Sequence, residues 1–332
     1  MTDIGPLMET FATGGIIDGT KISVAQVETL RAMGMDVAAG KDGKYRLSSS
    51  LELLEASRVR DSMSDATNDA VRDIECHLQI DSTNTRLMTM PSSLAMGRLC
   101  LAESQTAGRG RRGRTWQSPF GENIYMSLGW RVPLGVSVSG VSLVVGMAIT
   151  SALRSLGYMD LGLKWPNDVL VEVQGTYRKL AGILLEMGAP VNGDHAIVIG
   201  VGVNVAMSGQ ASAMIDQPFA TLRDMTPVQM GDREFDFSRN RVVAAILNCL
   251  IPELIRYNST GFAPFAPLWA EYDLFFGKRI SVRIADQEMT GIHGGIDQEG
   301  QLIIDIDGRQ RTFNAGEISL HLLDGASNAM PS

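Results

Sequence analysis

The run at residues 108–114 constrains the fold most, because it places four arginines and three glycines between two apolar segments. Glycine lacks a Cβ atom, so backbone N–H groups can approach a ligand closely, and each arginine offers a planar fork of donors suited to phosphate or carboxylate. The flanking residues 99–102 and 124–130 are typical of strands. These flanks favour an anion-binding loop between two strands over the alternative, a disordered basic patch or nucleic-acid tail.

The composition predicts a soluble globular chain of two or three domains. The chain has 332 residues, of which 45% are hydrophobic and 20% charged, and its net charge is −8. No apolar span is long enough to cross a membrane, and the first residues lack the basic and apolar regions of a secretory signal, so we expect a cytoplasmic protein. The three cysteines and four histidines are scattered. We therefore expect reduced thiols and no protein-built metal site.

Residues 1–60 are predicted to form a small winged-helix-like domain. Apolar side chains at Val24, Val27, Leu30 and Met33 have helical spacing, and Gly34 is a suitable helix end. Two short strand-like segments follow, at residues 37–39 and 44–47, around a glycine-containing turn. Residues 61–74 mix acidic and basic side chains, which predicts a linker.

The fold class predicted for residues 75–274 is α+β, with a central mixed or antiparallel sheet and flanking helices. Helical spacing marks residues 139–156 and 241–257, and a further helical stretch is expected at residues 265–274. Short apolar runs that predict strands lie at residues 161–165, 169–173, 180–186 and 196–205. Residues 275–323 contain four or five more short strands, which predict a small SH3-like barrel.

Three other segments accompany the basic loop: IDSTN at residues 80–84, KWPND at residues 164–168 and RKLAGILLE at residues 178–186. With GVGVN at residues 200–204, they resemble the biotin protein ligase family in order and spacing. The resemblance covers about residues 74–322 and implies a class II synthetase-like catalytic domain with a C-terminal SH3-like domain. The N-terminal unit resembles that of the bifunctional members, which also repress the biotin operon.

This resemblance implies a reaction in two steps. The biotin carboxylate attacks the α-phosphate of ATP to give biotinyl-5′-adenylate, and a lysine of a carrier protein then displaces AMP. Neither step needs a covalent enzyme intermediate, and the motifs contain no Ser or Cys nucleophile beside a histidine base. Cations must offset the repulsion between the two anions and the charge of the transition state. The implied cofactors are ATP and Mg²⁺, the metal being held mainly by the ATP phosphates, with biotin as substrate.

The resemblance also assigns residues. The implied catalytic residues are Lys179 and Arg111. The implied biotin-binding residues are Ser82, Thr83, Asn84, Gln105, Arg109, Gly110, Arg111 and Lys179. The implied ATP- and adenylate-binding residues are Arg111, Arg114, Trp116, Asn167, Lys179 and Asn204. No role is assigned to Arg112 beyond solvated charge, and core packing or a turn position remains an alternative for Trp116, Asn167 and Asn204.

Closure over the adenylate is expected, because a glycine-rich loop of this charge should become ordered on binding its ligand. A second candidate lid is the segment at residues 207–222, in which Phe219 could cap the adenylate. The family implies as partners the biotin carboxyl carrier protein of acetyl-CoA carboxylase and a second copy of this chain, and no membrane.

Operator DNA binding is left open by the sequence. Residues 1–50 hold five basic and six acidic side chains, whereas DNA-binding surfaces usually carry a basic excess. One of the three helices usual in a winged helix also looks eroded. Three alternative functions remain: a lipoate ligase, a repressor with biotinyl-adenylate as corepressor and little ligase role, and a nucleic-acid binder that uses residues 108–114.

Overall fold

The computed structural model describes residues 4–33, 35–47, 51–207, 209–228, 237–284, 287–315 and 318–323. Its helices are α1 (Gly5–Ala12), α2 (Val24–Ala32), α3 (Ala56–Asp61), α4 (Asp65–Ala70), α5 (Thr83–Met88), α6 (Ser92–Ala95), α7 (Val141–Ser155), α8 (Gly209–Ala213), α9 (Arg239–Thr260) and α10 (Ala266–Trp269). Its strands are β1 (Ile17–Asp18), β2 (Val37–Ala39), β3 (Lys44–Leu47), β4 (Asp73–His77), β5 (Arg98–Ala102), β6 (Ile124–Val132), β7 (Leu161–Lys164), β8 (Asp168–Val173), β9 (Thr176–Met187), β10 (His195–Val203), β11 (Arg279–Ile284), β12 (Gln287–Ile296), β13 (Leu302–Ile306), β14 (Arg309–Phe313) and β15 (Ile318–Leu322).

The described residues of the central domain form a seven-stranded sheet in the order β4-β5-β6-β10-β9-β8-β7. The β4–β5 pair is parallel and the other pairs are antiparallel. The predicted α+β class with a mixed sheet is therefore confirmed. The helix predicted at residues 139–156 forms as α7, and the one predicted at residues 241–257 forms as the longer α9.

The two faces of this sheet have different environments, because successive side chains of a strand point to opposite faces. Leu99, Leu101 and Ile199 belong to the main core with α7 and α9. Cys100 and Val198 point the other way and pack with Leu87 of α5. This second face carries the functional site, because the β10 glycines that follow Val198 at alternate positions lie on it.

The N-terminal unit has a core of its own, and that core includes a residue of the central domain. Side chains of α1 and α2, among them Met8 and Leu30, pack with Phe120, which is 6% exposed and lies four residues beyond Trp116. In place of the middle helix of a winged helix the chain forms one 3-10 turn, Gly19–Lys21. The β2–β3 hairpin is the predicted wing.

The change from one core to the other occurs between Leu53 and Leu54. Leu53 packs against the N-terminal core, whereas Leu54 is buried in the main core. Val59 and Val71 beyond it are also buried there, so α3 and α4 belong to the central packing unit. This boundary lies before the linker predicted at residues 61–74, because buried apolar residues are interspersed among the charges of that segment.

The C-terminal strands form an antiparallel sheet in the order β14-β13-β12-β11-β15 among the described residues. The pairing of these strands does not close, so the predicted barrel is corrected to an open sheet. A buried contact between a histidine and a carboxylate joins it to the central domain, since His293 Nε2 lies 2.8 Å from Asp273 Oδ2. Trp269 donates to the same carboxylate at 2.8 Å, and Trp165 donates to the carbonyl of Gly300 at 3.0 Å.

Within the described residues no helix is both long and apolar enough to cross a membrane.

Candidate functional site

The basic loop connects β5 to β6, as predicted. It folds back on itself, because Trp116 N donates to Gly108 O at 2.9 Å and Gly110 N donates to Arg114 O at 2.7 Å. Arg112 at the tip has φ 57° and ψ 36°, a left-handed conformation that non-glycine residues rarely adopt. The loop is thereby folded over a cavity beside α5, β9 and β10.

One end of the cavity is lined by neutral polar groups. Thr83 donates its N–H and its hydroxyl to Gln105 Oε1, at 2.9 and 3.2 Å. The buried hydroxyl of Ser127 donates to Thr83 Oγ1 at 2.8 Å and to Asn84 Oδ1 at 2.5 Å. Ser82 caps α5, accepting from Thr85 N at 3.4 Å. Hydroxyl and amide groups held in this way can bind a neutral polar ring, and they carry no net charge.

Arg109 lies next to this neutral end and is paired with an internal carboxylate. Its Nη2 is 2.8 Å from Glu186 Oε2 and 3.1 Å from Thr85 Oγ1. Asn84 Nδ2 donates to the same Glu186 oxygen at 2.8 Å. Glu186 therefore occupies the guanidinium of Arg109, which the resemblance implies as a biotin-binding residue.

Arg111 contacts two domains at once. Its Nη1 donates to Asn167 Oδ1 at 3.0 Å, and its Nη2 donates to the carbonyl of Ala315 in the C-terminal domain. Burial, followed by the neighbouring charge of Arg112, lowers the pKa of Arg111. Asn167 is itself held by a 3.0 Å hydrogen bond from its Nδ2 to Ile183 O.

Lys179 lies in the centre of the cavity and forms an ion pair with Asp168. Its Nζ is 2.7 Å from Asp168 Oδ1 and 5.3 Å from the centroid of the Trp116 ring. Both partners of the ion pair are largely buried. Asn204 holds the backbone of this lysine, because its Nδ2 donates to the carbonyl of Lys179 at 3.1 Å.

Trp116 lies against two glycines that face each other across β9 and β10. A Cβ atom on Gly202 would come within 2.5 Å of the indole ring, and one on Gly182 within 3.0 Å. Gly200 lies two residues before Gly202, on the same face of β10. It leaves space for Asn84 in the same way, because a Cβ atom added to Gly200 would lie 2.2 Å from Asn84 Oδ1. The glycines of GVGVN therefore make space for the ligand-side residues. The indole Nε1 is buried and makes no hydrogen bond in the described residues.

Most of the residues that the sequence predicts for the site line this one cavity. Those that line it are Ser82, Thr83, Asn84, Gln105, Arg109, Gly110, Arg111, Trp116, Asn167 and Lys179. Arg114 and Asn204 do not line it. Their roles, like those of the residues that do, stay predictions.

Glu186, Asp168 and Ser127 contact predicted site residues, but sequence reasoning assigned them no role. The first two lie inside motifs that had been singled out, RKLAGILLE and KWPND, and their charge was the available signal. Ser127 lies in an apolar strand and gave no such signal. Its position between Thr83 and Asn84 depends on contacts more than forty residues apart in sequence.

The second candidate lid, residues 207–222, contacts Lys179 through backbone hydrogen bonds. Lys179 N donates to Pro218 O at 3.0 Å, and Ala220 N donates back to Lys179 O at 3.0 Å. Phe219 therefore lies beside Lys179 as a bridge partner. Residue 208 and the side chains of residues 209 and 210 fall outside the described residues, and capping by Phe219 stays a prediction.

The described residues bring together Glu75, His77 and Cys100, whose potential ligand atoms lie within 4.8 Å of one another. Glu75 is already bound by Arg86, at 3.1 Å, and Arg98 lies 3.8 Å away. Burial and the charge of Glu75 raise the pKa of the Cys100 thiol, which favours its protonated form. Two arginines and a protonated thiol make this cluster a poor cation site.

Two family models and the related sequences all match biotin ligases. Residues 77–204 match the model of the biotin/lipoate A/B protein ligase family, and residues 275–321 match the biotin protein ligase C-terminal domain. The chain is 37% identical over 295 residues to a bifunctional ligase/repressor BirA of Salmonella typhimurium, covering 89% of this chain and 87% of that protein. It is 34% identical to a biotin--[acetyl-CoA-carboxylase] ligase of Mycobacterium tuberculosis, covering 76% of this chain and 90% of that protein.

Solved structures share the fold. The biotin protein ligase of Aquifex aeolicus in complex with biotin and ATP superposes with a TM-score of 0.62 at 23% identity. The match covers 76% of this chain and 100% of that structure.

Proposed function

The chain belongs to the biotin protein ligase family, and we propose that its cavity activates biotin with ATP and transfers it to a lysine of a carrier protein. The observation that carries this proposal is the arrangement of charge in one cavity. A neutral polar end formed by Thr83 and Gln105 leads to Arg109, and beyond it to Arg111 and Lys179. Biotin has the same order of groups, from its neutral ureido ring to its carboxylate.

Adenylate formation joins two anions, so cations in the cavity are needed to offset their repulsion and lower the barrier. An oxygen of the biotin carboxylate forms a bond to the α-phosphorus of ATP, and the bond from that phosphorus to the bridging oxygen breaks as pyrophosphate leaves. Lys179 and Arg111 line this cavity together and would bind both the carboxylate and the α-phosphate, which would offset their repulsion and stabilise the transition-state charge. Trp116 offers its ring face to adenine.

Before ligands bind, internal carboxylates hold the cations. Biotin must replace Glu186 on Arg109, and the nucleotide must compete with Asp168 for Lys179. The exchange would keep Arg109 and Lys179 paired with an anion both before and after the ligands bind, which avoids leaving the largely buried charge of Lys179 alone. In the second step, an unprotonated acceptor amine attacks the adenylate carbonyl, AMP leaves and the amine proton is released.

We further propose that Mg²⁺ accompanies ATP. Asp168 is the carboxylate beside the expected phosphate position and can offer an oxygen ligand, while most of the coordination would come from phosphates and water, as Mg²⁺ prefers. Bound in this way, the metal would neutralise phosphate charge. Asn167 stays engaged with Arg111 and Ile183.

For partners, we propose the biotin carboxyl carrier protein of acetyl-CoA carboxylase and a second copy of this chain, in the cytoplasm. The acceptor proposal rests on relatives whose names specify acetyl-CoA-carboxylase as the protein that they modify. The homodimer rests on family resemblance. Analytical ultracentrifugation with and without biotin and ATP tests it.

Pyrophosphate exchange tests the ligase proposal. Wild-type protein is incubated with ATP, labelled pyrophosphate and either biotin or lipoate, and label entering ATP is counted. We expect exchange with biotin. Exchange with lipoate alone would assign the chain to lipoate ligation instead.

DNA binding is a second candidate function, and the β2–β3 wing favours it. Lys41 and Lys44 lie exposed at the tip of this hairpin, where they could contact phosphates. The chain is 36% identical over 295 residues to a bifunctional ligase/repressor BirA of Escherichia coli. Binding to an operator is therefore proposed for the N-terminal unit rather than for the basic loop, whose Arg109 and Arg111 line the cavity.

A further inference from the structure

Lys164 lies on the ligand face of the central sheet, next to the Lys179–Asp168 ion pair. It ends β7 and stands directly opposite Asp168 of β8. Side chains of directly opposed residues in an antiparallel pair point to the same face, with Cβ atoms about 5 Å apart. Because Asp168 reaches Lys179 on that face, Lys164 projects toward the same region.

This lysine forms no direct ion pair in the part of the chain that the structure describes, and it shares the charge of Asp168 with Lys179. Its Nζ is 6.0 Å from the centroid of the Phe275 ring. Burial lowers the pKa of Lys164, and Lys179 and Arg114 lower it further against the opposing effect of Asp168. A largely buried ammonium group without a direct ion-pair partner costs stability, so its presence here points to a ligand.

Other cations surround Lys164. Arg114, from the basic loop, is one of them, as is Lys179. His321, from β15 of the C-terminal domain, also lies near; burial, then Lys164 and Arg114, lower its pKa and favour its neutral form. Glu288 of β12 is 3.8 Å from Arg283 of β11, the strand between β12 and β15, and is paired with it. Asp168 is thus the carboxylate shared by Lys164, Lys179 and Arg111. The cationic excess suits a highly charged anion such as a polyphosphate.

Resting on the proposed function, we infer that Lys164 binds the β- and γ-phosphates of ATP and the pyrophosphate that leaves. Lys179 and Arg111 then act at the α-phosphate, and Asp168 separates the two positions. When the bond from the α-phosphorus to the bridging oxygen breaks, its electron pair passes to pyrophosphate. A fixed cation at that end stabilises the growing charge.

Lys164→Met tests the inference, because methionine keeps the unbranched stem and removes the charge. We expect KM for ATP in adenylate formation, and KM for pyrophosphate in the reverse exchange, to rise about tenfold or more, as for loss of one charge-assisted hydrogen bond. KM for biotin, and the rate of transfer from preformed biotinyl-5′-adenylate to an acceptor protein, stay unchanged. Tm stays equal or rises. Lys164→Arg restores most of the ATP affinity.

Lys278→Met is the matched control. Lys278 is another half-buried lysine at the same domain junction, with Nζ 4.4 Å from the centroid of the Tyr177 ring and in contact with its hydroxyl. We expect no change in either KM. Unchanged KM values for ATP and pyrophosphate in Lys164→Met overturn the inference, and so does a fall in Tm with equal loss of adenylate formation and transfer.

Equilibrium binding separates the inference from the proposed function. Calorimetric titration of wild-type protein and Lys164→Met with pyrophosphate alone needs no turnover. Weaker binding by the variant supports the site even if biotin-dependent exchange is absent from the wild type. Equal binding contradicts the site even if exchange is present.

Discussion

The cavity and the N-terminal unit both contain glycines and basic residues, yet their charges are arranged differently. Beside the cavity, Asp168 faces several cations, and Lys164 forms no direct ion pair among the described residues. In the N-terminal unit, Arg46 makes two hydrogen bonds to Asp42, at 2.6 and 3.1 Å, and Arg31 donates to Val37 O. Basic residues whose hydrogen-bond acceptors lie in their own domain stabilise local structure there. Basic residues that outnumber the nearby carboxylates predict an anionic ligand.

The largest effect is expected at Lys179, the cation at the centre of the cavity. Lys179→Ala should slow adenylate formation by about 10²- to 10³-fold, the usual result of removing one transition-state charge contact. Biotin-dependent pyrophosphate exchange measures it, with far-ultraviolet circular dichroism as the check on folding. Lys44→Ala in the wing is the matched control and should exchange at the wild-type rate. Near-normal turnover of Lys179→Ala would contradict the assignment.

A smaller effect is expected at Arg109. Arg109→Ala should weaken biotin binding by about tenfold or more, because it removes a charge-assisted hydrogen bond to the carboxylate. Glu186→Gln should not weaken it, since the internal competitor for Arg109 is removed while an amide oxygen can still accept from Asn84. Calorimetric titration with biotin measures both. Equal loss of affinity in the two variants would show that Glu186 supports the site and does not compete with biotin.

A modest and salt-sensitive effect is expected for DNA. The exposed lysines Lys21, Lys41 and Lys44 can neutralise at most about three phosphates, so the logarithm of affinity should fall with that of salt with a slope of about −3 or shallower. Lys41→Ala combined with Lys44→Ala should reduce that slope by about 2. Fluorescence anisotropy over a salt series measures it. A slope unaffected by these changes, but lost in Arg111→Ala, would move DNA binding to the basic loop.

The smallest effect, on stability, is expected at Glu52, which lies where the chain passes from the N-terminal unit to the central domain. Burial raises its pKa, but hydrogen bonds from Ser238, Asn240 and the backbone of Arg239 outweigh that and lower it overall. A lowered pKa stabilises the fold above the unfolded value of about 4.3, and this contribution is lost as pH falls through the folded value. Glu52→Gln should therefore cost about 1 kcal/mol at pH 7 and less at pH 3. Urea unfolding at the two pH values measures it; an equal cost at both would contradict the ionic role.

Local patterns predicted the loop, the wing and the long helices, because glycine, charge and apolar spacing are visible within a few residues. The α1 helix was not predicted, although Pro6 at its start and the spacing of Leu7 and Phe11 indicate it. The glycines at residues 14 and 15 obscured this signal.

Long-range contacts account for most of what sequence reasoning missed. Asn84 and Glu186 are 102 residues apart, and Arg111 and Ala315 are 204 apart. No local pattern specifies such pairs, since the packing of whole domains determines them. The internal counter-ions of the cavity could be seen only in three dimensions.

The position of Phe120 determines whether the N-terminal unit can be removed without disturbing the rest of the chain. Its side chain fills the core of the N-terminal unit, while its backbone continues from the loop that carries Trp116. Removing residues 1–47 would expose the ring of Phe120 and the side chain of Leu78, which pack in and against that core. The N-terminal unit is therefore not a detachable module, and a truncated chain would lose part of the framework that shapes its own substrate loop.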